Sequence, residues 1–367
     1  MKLFPFALAA GLAAASASAP ALAADITGAG ATFPFPVYSK WAEAYRKEAG
    51  IGLNYQSIGS GGGIRQIKAK TVDFGATDAP LKGDDLDKSG LVQFPTVLGG
   101  VVPVVNIPGL KTGELKLTGD IIADIYRGQV KKWNDPRIAQ INQGVTLPEA
   151  NITPVYRSDG SGTTSIFTDY LSSVSPEWKS SLGMGTTVNW PAGQGGKGNE
   201  GVAATVKQVA NAIGYVEYAY AKQNNMPVAQ VKNKDGQFVA ADDTTFAAAA
   251  ANADWSAAPG FGISLVSQPG AQAWPITGAT FILVYKTPDK PEQVAEVLKF
   301  FDWAYKSGDK LASDLDYVPL PDKVSDQVRQ VWSKEIKGKG WQAPLRQGQL
   351  RPLHGRRHDP AERARSG

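Results

Sequence analysis

Apolar residues along this 367-residue chain follow two spacings in turn. Short apolar bursts of strand character are followed by segments whose apolar residues recur every three or four positions, as one helix face requires. Val37, Trp41 and Tyr45 share such a face after Pro36, which suits a first helical turn, and Gly50 ends the segment. The strand-like Gly52–Tyr55 leads into a helical pattern with Ile64 and Ile67 three positions apart. Val101–Ile107 is apolar almost without interruption, the pattern of a strand covered on both faces. Thr118 stands as a cap before Ile121, Ile122, Ile125 and Tyr126. Ile152, Val155 and Tyr156 form a short strand-like run, and Ile166, Tyr170 and Leu171 a helical face. The helix Glu200–Asn211, the strand Ile213–Tyr218, the strand region Trp274–Tyr285 and the helix Pro291–Tyr305 complete the alternation. This order predicts an α/β fold with mostly parallel strands. The Trp and Tyr residues on these faces read as core, and no internal repeat is visible.

Three helix starts in this pattern are unusually rich in Gly, Ser and Thr. Arg157-Ser-Asp-Gly-Ser-Gly-Thr-Thr164 follows the Ile152–Tyr156 run and opens the helix carrying Ile166. Free backbone N–H groups and the positive dipole end gather there. Ser161, Thr163 and Thr164 add hydroxyls, and Arg157 adds a forked cation. Taken alone, the segment fits a tetrahedral-oxyanion site or a Ser-capped helix with Arg157 paired to Asp159 on the surface. Gly28-Ala-Gly-Ala-Thr-Phe-Pro34 and Ile58-Gly-Ser-Gly-Gly-Gly63 repeat the motif at two other helix starts, joined by the acid in Val72-Asp-Phe-Gly-Ala-Thr-Asp-Ala-Pro80. Three such starts exceed what capping explains. No phosphate-loop pattern is present, and Gly193-Gln-Gly-Gly-Lys-Gly198 lacks nucleotide-binding spacing. Ligands in α/β sheets bind beyond the strands' carboxyl ends, where these segments fall.

Composition narrows the chemistry. The chain has no cysteine, and its two histidines, His354 and His358, lie near the C-terminus. The body therefore has no means to build a Ser-His-Asp or Cys-His site, a disulfide or a His-based zinc centre. The formal charge of +4 comes from the ends: Lys2 and six arginines beyond Trp341 leave residues 25–340 with a net charge of −1. Nothing in the body suggests nucleic acid. Residues 1–24 read as a secretory signal ending in Ala21-Leu-Ala23, and no later run reaches the roughly 18 apolar residues of a membrane span. A soluble, exported protein without a lipid-anchoring cysteine is expected.

The motifs GAGATFP (28–34), IGSGGG (58–63), VDFGATDAP (72–80), FPTVLGGVVPVVNIPGL (94–110), RSDGSGTT (157–164), GYVEYAYAKQNN (214–225) and KFFDWAYKSGDKLASDLDY (299–317) occur in that order. Together they resemble the periplasmic phosphate-binding proteins of bacterial high-affinity phosphate ABC transporters, from about Asp25 to about Lys337. The resemblance implies a two-lobed α/β periplasmic-binding-protein fold of the type II, Venus-flytrap kind, with the ligand cleft between lobes and hinge closure around the ligand. It implies one lobe from 25–103 plus 277–340 and a second from 104–276; from about Trp341 the resemblance breaks, and the composition of 341–367 reads as an atypical basic tail, expected to be disordered. It implies a phosphate site of Thr32, Phe33, Ser60, Asp78, Arg157, Ser161, Gly162 and Thr163, with Asp159 orienting Arg157. No cofactor, metal or catalytic residue is expected. Inorganic phosphate and the membrane permease subunits are the expected partners of a periplasmic monomer. Asp78 beside an anion makes sense if it accepts a hydrogen bond, which protonated phosphate can give and fully ionised sulfate cannot. A binder of another, sulfate-like oxyanion and a phosphatase are the alternatives.

Overall fold

The computed structural model describes residues 25–338. The expected signal at 1–24 and the tail over 341–367 lie outside them. Among the described residues no helix is long and apolar enough to cross a membrane.

The strands are β1 (Ile26–Gly30), β2 (Leu53–Ser57), β3 (Phe74–Thr77), β4 (Leu91–Val105), β5 (Lys116–Leu117), β6 (Thr153–Arg157), β7 (Gln194–Gly196), β8 (Ala212–Glu217), β9 (Gln230–Lys232), β10 (Phe238–Val239), β11 (Thr277–Tyr285) and β12 (Val318–Pro319). One sheet runs in the order β2-β1-β3-β11-β4-β8-β6-β7, with β12 also on β4, and a small second sheet is β10-β9-β5. The long strand β4 is buried at every position and belongs to both halves of the sheet. Leu91–Gly100 pairs with β11, and Val101–Val105 pairs with β8. The fold is therefore α/β and two-lobed, with β4 crossing from one lobe to the other.

The expectation of mostly parallel strands needs correcting. β1 pairs parallel with β2 and β3, and β6 with β7 and β8. The middle of the sheet, β3-β11-β4-β8, is antiparallel. The cause is the crossing: β11 returns to the first lobe alongside the outgoing β4, so the two run in opposite directions. The apolar run at 101–107 is likewise only the second half of a longer strand. Its first half, Leu91–Gly100, includes Gln93, Pro95 and Thr96, which mask the apolar pattern although all are buried.

Each lobe has its own aromatic core. Phe301 stands edge-on to Tyr38, Phe74 and Phe94 in the first. In the second, Phe167 stacks on Tyr215 with ring centres 4.1 Å apart, and Tyr126 and Trp190 close the group. The helices Phe35–Ala49, Ser60–Lys68 and Gly162–Val174 each begin just beyond the carboxyl end of a strand: β1, β2 and β6. Gly63 sets the second of these tight against the sheet, since a Cβ there would sit 2.5 Å from the Gly30 Cα and 2.7 Å from the Ala76 oxygen. The three glycine-rich starts are thereby brought to the junction of the lobes.

Candidate functional site

The junction is built from residues that the sequence spreads over 250 positions. Thr32, Ser60, Asp78, Arg157, Ser161 and Thr163 are all buried, and so is the Phe33 side chain. Burying this many polar groups requires that each find a partner or a ligand.

Ser60 joins the lobes. Its Oγ accepts from the Gly162 backbone N–H at 3.0 Å and from the Asp78 N–H at 3.2 Å. A hydroxyl has two lone pairs and one proton. Both lone pairs of Ser60 are thus taken, and its proton remains to donate. Alongside it the Gly61 N–H donates to the Gly160 oxygen at 2.9 Å, a second tie between the same two helix starts. Ser161 caps its own helix, its Oγ accepting from the Thr164 N–H at 3.0 Å. The Thr164 hydroxyl is 2.7 Å from the Tyr215 hydroxyl, which also accepts from the Arg157 N–H.

Arg157 is held by Asp159 as a two-pronged pair, Nε to Oδ1 at 2.8 Å and Nη2 to Oδ2 at 2.6 Å. The Arg157 side chain is 1% exposed, so this is no surface ion pair. The Gly198 N–H also donates to Asp159. Burial works against the Asp159 charge, yet the Arg157 fork and the Gly198 N–H hold its carboxyl below the usual range. The third guanidinium nitrogen, Nη1, is buried with no hydrogen-bond partner among the described residues.

Asp78 is the electrostatic counterpart. Its Oδ1 accepts from the Thr280 hydroxyl at 2.5 Å, while Oδ2 is buried without a partner. Burial pushes its carboxyl up to about 7, against the opposing pull of Thr280, Arg157 and Ser60. A cation with an unpaired donor, a carboxyl with an unpaired oxygen and a hydroxyl committed to donation thus share one enclosed region. That set suits an oxyanion carrying a proton: Nη1 and the hydroxyl give hydrogen bonds, and Oδ2 takes or shares the proton.

The Thr32–Phe33 turn is held by residues that the sequence patterns did not single out. Tyr220 donates to the Thr32 oxygen and Tyr317 to the Phe33 oxygen, each at 2.6 Å. Thr32 Oγ1 accepts from Asn199, through the backbone N–H at 3.1 Å and through Nδ2 at 2.7 Å. Asn199 opens the helix Gly198–Gln208 after the Gly193–Gly198 run. That run fails as a nucleotide motif, but a glycine-rich stretch ahead of a fourth helix was the available signal. Tyr220 and Tyr317 lie within the motifs at 214–225 and 299–317, but nothing local marks their hydroxyls, which reach the site only through the packing of distant elements.

Two lobes joined by crossing strands, with a polar, enclosed site between them, define a binding-protein class. A family model described as a PBP superfamily domain matches residues 14–307, and the chain belongs to that superfamily. Within it the chain belongs to the phosphate-binding protein PstS family. It is 55% identical to "Phosphate-binding protein PstS" of Pasteurella multocida over 315 residues, covering 86% of this chain and 92% of that one. The protein of the same name from Haemophilus influenzae is 53% identical over 317 residues, covering 86% and 95%. The family is a transport family rather than an enzyme family. The fold also matches a solved phosphate-binding protein from Stenotrophomonas maltophilia, with TM-score 0.66, 21% identity and coverage of 84% of this chain and 94% of that one. A second match is the high-affinity periplasmic phosphate-binding protein PfluDING with bound phosphate, with TM-score 0.66, 22% identity and coverage of 83% and 93%.

Proposed function

We propose that this protein binds inorganic phosphate between its lobes in the periplasm and delivers it to an ABC-type permease. The lobes are 25–103 with 277–340, and 104–276. Thr32, Phe33, Ser60, Asp78, Arg157, Ser161, Gly162 and Thr163 line the phosphate, and Asp159 aims Arg157. The observation that carries the reading is the pairing of unsatisfied buried atoms, Arg157 Nη1 and Asp78 Oδ2, in one enclosed site. A buried donor and a buried acceptor left open each cost about 1–3 kcal/mol, a cost that a singly protonated tetrahedral anion relieves at both ends.

Binding rather than turnover follows from the same residues. Ser60 and Ser161 are the candidate nucleophiles, but their oxygens accept from backbone N–H groups and neither has a histidine among the described residues to take its proton. Isothermal titration at pH 9, where the Asp78 carboxyl is ionised, tests the reading. Phosphate should bind one per chain, sulfate far more weakly, and no phosphate should be released from an aryl phosphate ester. Arg157→Ala should weaken phosphate at least thirtyfold, since truncating one partner of a buried charged pair costs about 2–5 kcal/mol. Equal affinity for sulfate, or an Arg157→Ala affinity within threefold of wild type, would sink the assignment.

A further inference from the structure

Asn199 lies wholly buried between the two lobes, and each polar atom of its side chain has a defined direction. Its Oδ1 accepts from the Glu217 backbone N–H at 2.9 Å. A backbone N–H is a donor only, so this contact fixes which end of the amide is oxygen. The Nδ2 end then faces two threonine hydroxyls, Thr32 Oγ1 at 2.7 Å and Thr163 Oγ1 at 3.1 Å. Thr32 belongs to the turn after β1 and Thr163 to the first turn of the helix after β6, so one amide spans the junction.

The consequence lies in the hydroxyl protons. Thr32 Oγ1 accepts twice from Asn199, once from the backbone N–H and once from Nδ2, which uses both its lone pairs. Its O–H has only donation left to it. Thr163 Oγ1 accepts once from the same amide, which turns that lone pair, and not the proton, toward Asn199. Left to themselves, threonine hydroxyls rotate and serve as donor or acceptor with little preference. Here the Thr32 rotation is settled before any ligand arrives, and the Thr163 proton is kept off the side that faces Asn199. We propose that Asn199 is a positioning residue for the oxyanion: by donating to Thr32 and Thr163 it commits the Thr32 hydroxyl as a donor toward the anion, biases the Thr163 proton the same way, and ties both to the closed arrangement of the lobes. The proposal rests on the phosphate-binding reading and extends it to a residue that does not itself touch the anion. Orienting donors in advance lowers the entropy that binding would otherwise cost.

A double-mutant cycle tests it, with phosphate affinity measured by isothermal titration at neutral pH in the full-length protein. Asn199→Ala is made in wild type and in a Thr32→Val/Thr163→Val background. If Asn199 acts through the two hydroxyls, Asn199→Ala weakens phosphate at least tenfold in wild type and less than threefold further once the hydroxyls are gone. The same fold-loss in both backgrounds would mark Asn199 as an independent strut between the lobes and overturn the proposal, as would a loss under threefold in wild type. Should Asn199→Ala not fold, Asn199→Asp keeps the size and the acceptor for Glu217 but presents acceptors to both hydroxyls. It should lose phosphate binding at least a hundredfold, and wild-type affinity in that variant would overturn the proposal. Failure of the wild-type protein to bind phosphate would sink the functional reading itself. Binding by wild type with additive losses would sink only the role of Asn199.

Discussion

At the scale of single residues, Asp78 decides which anion the site accepts. Its Oδ2 has no hydrogen-bond partner among the described residues, and burial pushes its carboxyl up to about 7. Below that pH the carboxyl carries a proton and can donate it to an anion that has none. Above it, sulfate would set an oxygen against a bare carboxylate, whereas phosphate brings its own proton to the contact. Sulfate affinity should therefore be flat at acidic pH and fall about tenfold per pH unit above the carboxyl's titration, with phosphate changing far less. Asp78→Asn removes the titration, because an amide donates to sulfate at any pH. Titrations with both anions at pH 6 and pH 9 check this. A wild-type sulfate affinity that does not change between them, or an Asp78→Asn variant that rejects sulfate as firmly as wild type, would show that the proton is not being read.

At the scale of elements, the site depends on how closely two helix starts approach. The helix Gly162–Val174 meets the helix Ser60–Lys68 through the Gly162 N–H and Ser60 Oγ. A Cβ on Gly162 would lie 2.5 Å from Asp78 Cβ, Asp78 Oδ2 and Ser60 Oγ at once, well inside contact distance. None of these can retreat cheaply, since Asp78 is anchored to Thr280 and Ser60 to two backbone donors. Gly162→Ala should leave each lobe folded but hold them apart, weakening phosphate at least a hundredfold with only a few degrees' change in ligand-free melting temperature. A small fall in affinity would mean the helix starts need not touch to bind. In general, a strong helix start here is a capped N-terminus whose small residues allow another backbone close, and the capping alone does not create the site.

At the scale of the whole molecule, one buried acid sits where the lobes join. Glu217 ends β8 opposite Val101 of β4, and its Oε2 is 2.7 Å from the Tyr317 hydroxyl. That hydroxyl also lies 2.6 Å from the Phe33 carbonyl oxygen, which can only accept. One phenolic proton does not serve two acceptors, so Glu217 supplies the second as a neutral acid. Burial drives its carboxyl well above the usual range, outweighing the Ala219 N–H contact, and the Asp78 and Asp316 charges push the same way. The sign follows directly. A carboxyl raised on folding keeps its proton where the unfolded chain has lost it, so stability falls as pH rises from about 4.5 toward the folded value, by about 1.4 kcal/mol per unit. Glu217→Gln lacks that slope. Denaturant titrations at pH 5 and pH 7 should show the wild-type advantage over Glu217→Gln shrinking as the pH rises. An advantage unchanged between the two would mean that Glu217 is charged in the folded protein.

Local sequence determined the elements and the chemical class of the site. The helical face Val37-Trp41-Tyr45 and the runs 294–301 and 213–217 are readable because burial on one side imposes a period that neighbouring residues record. The glycine-rich helix starts and the Arg157–Asp159 pair are readable for the same reason, since each is complete within a few residues. What spans the lobes is not local, and only the tertiary structure decided it. The antiparallel centre of the sheet depends on β11, which begins at Thr277, returning beside β4, which ends at Val105. Asn199, Tyr220 and Glu217 acquire their roles only when Thr32, Phe33 and Tyr317 arrive from the other lobe. Hydrophobic period and capping report which face of an element is buried. They do not report which element covers it, and a site built in the gap between two lobes is set by that second fact.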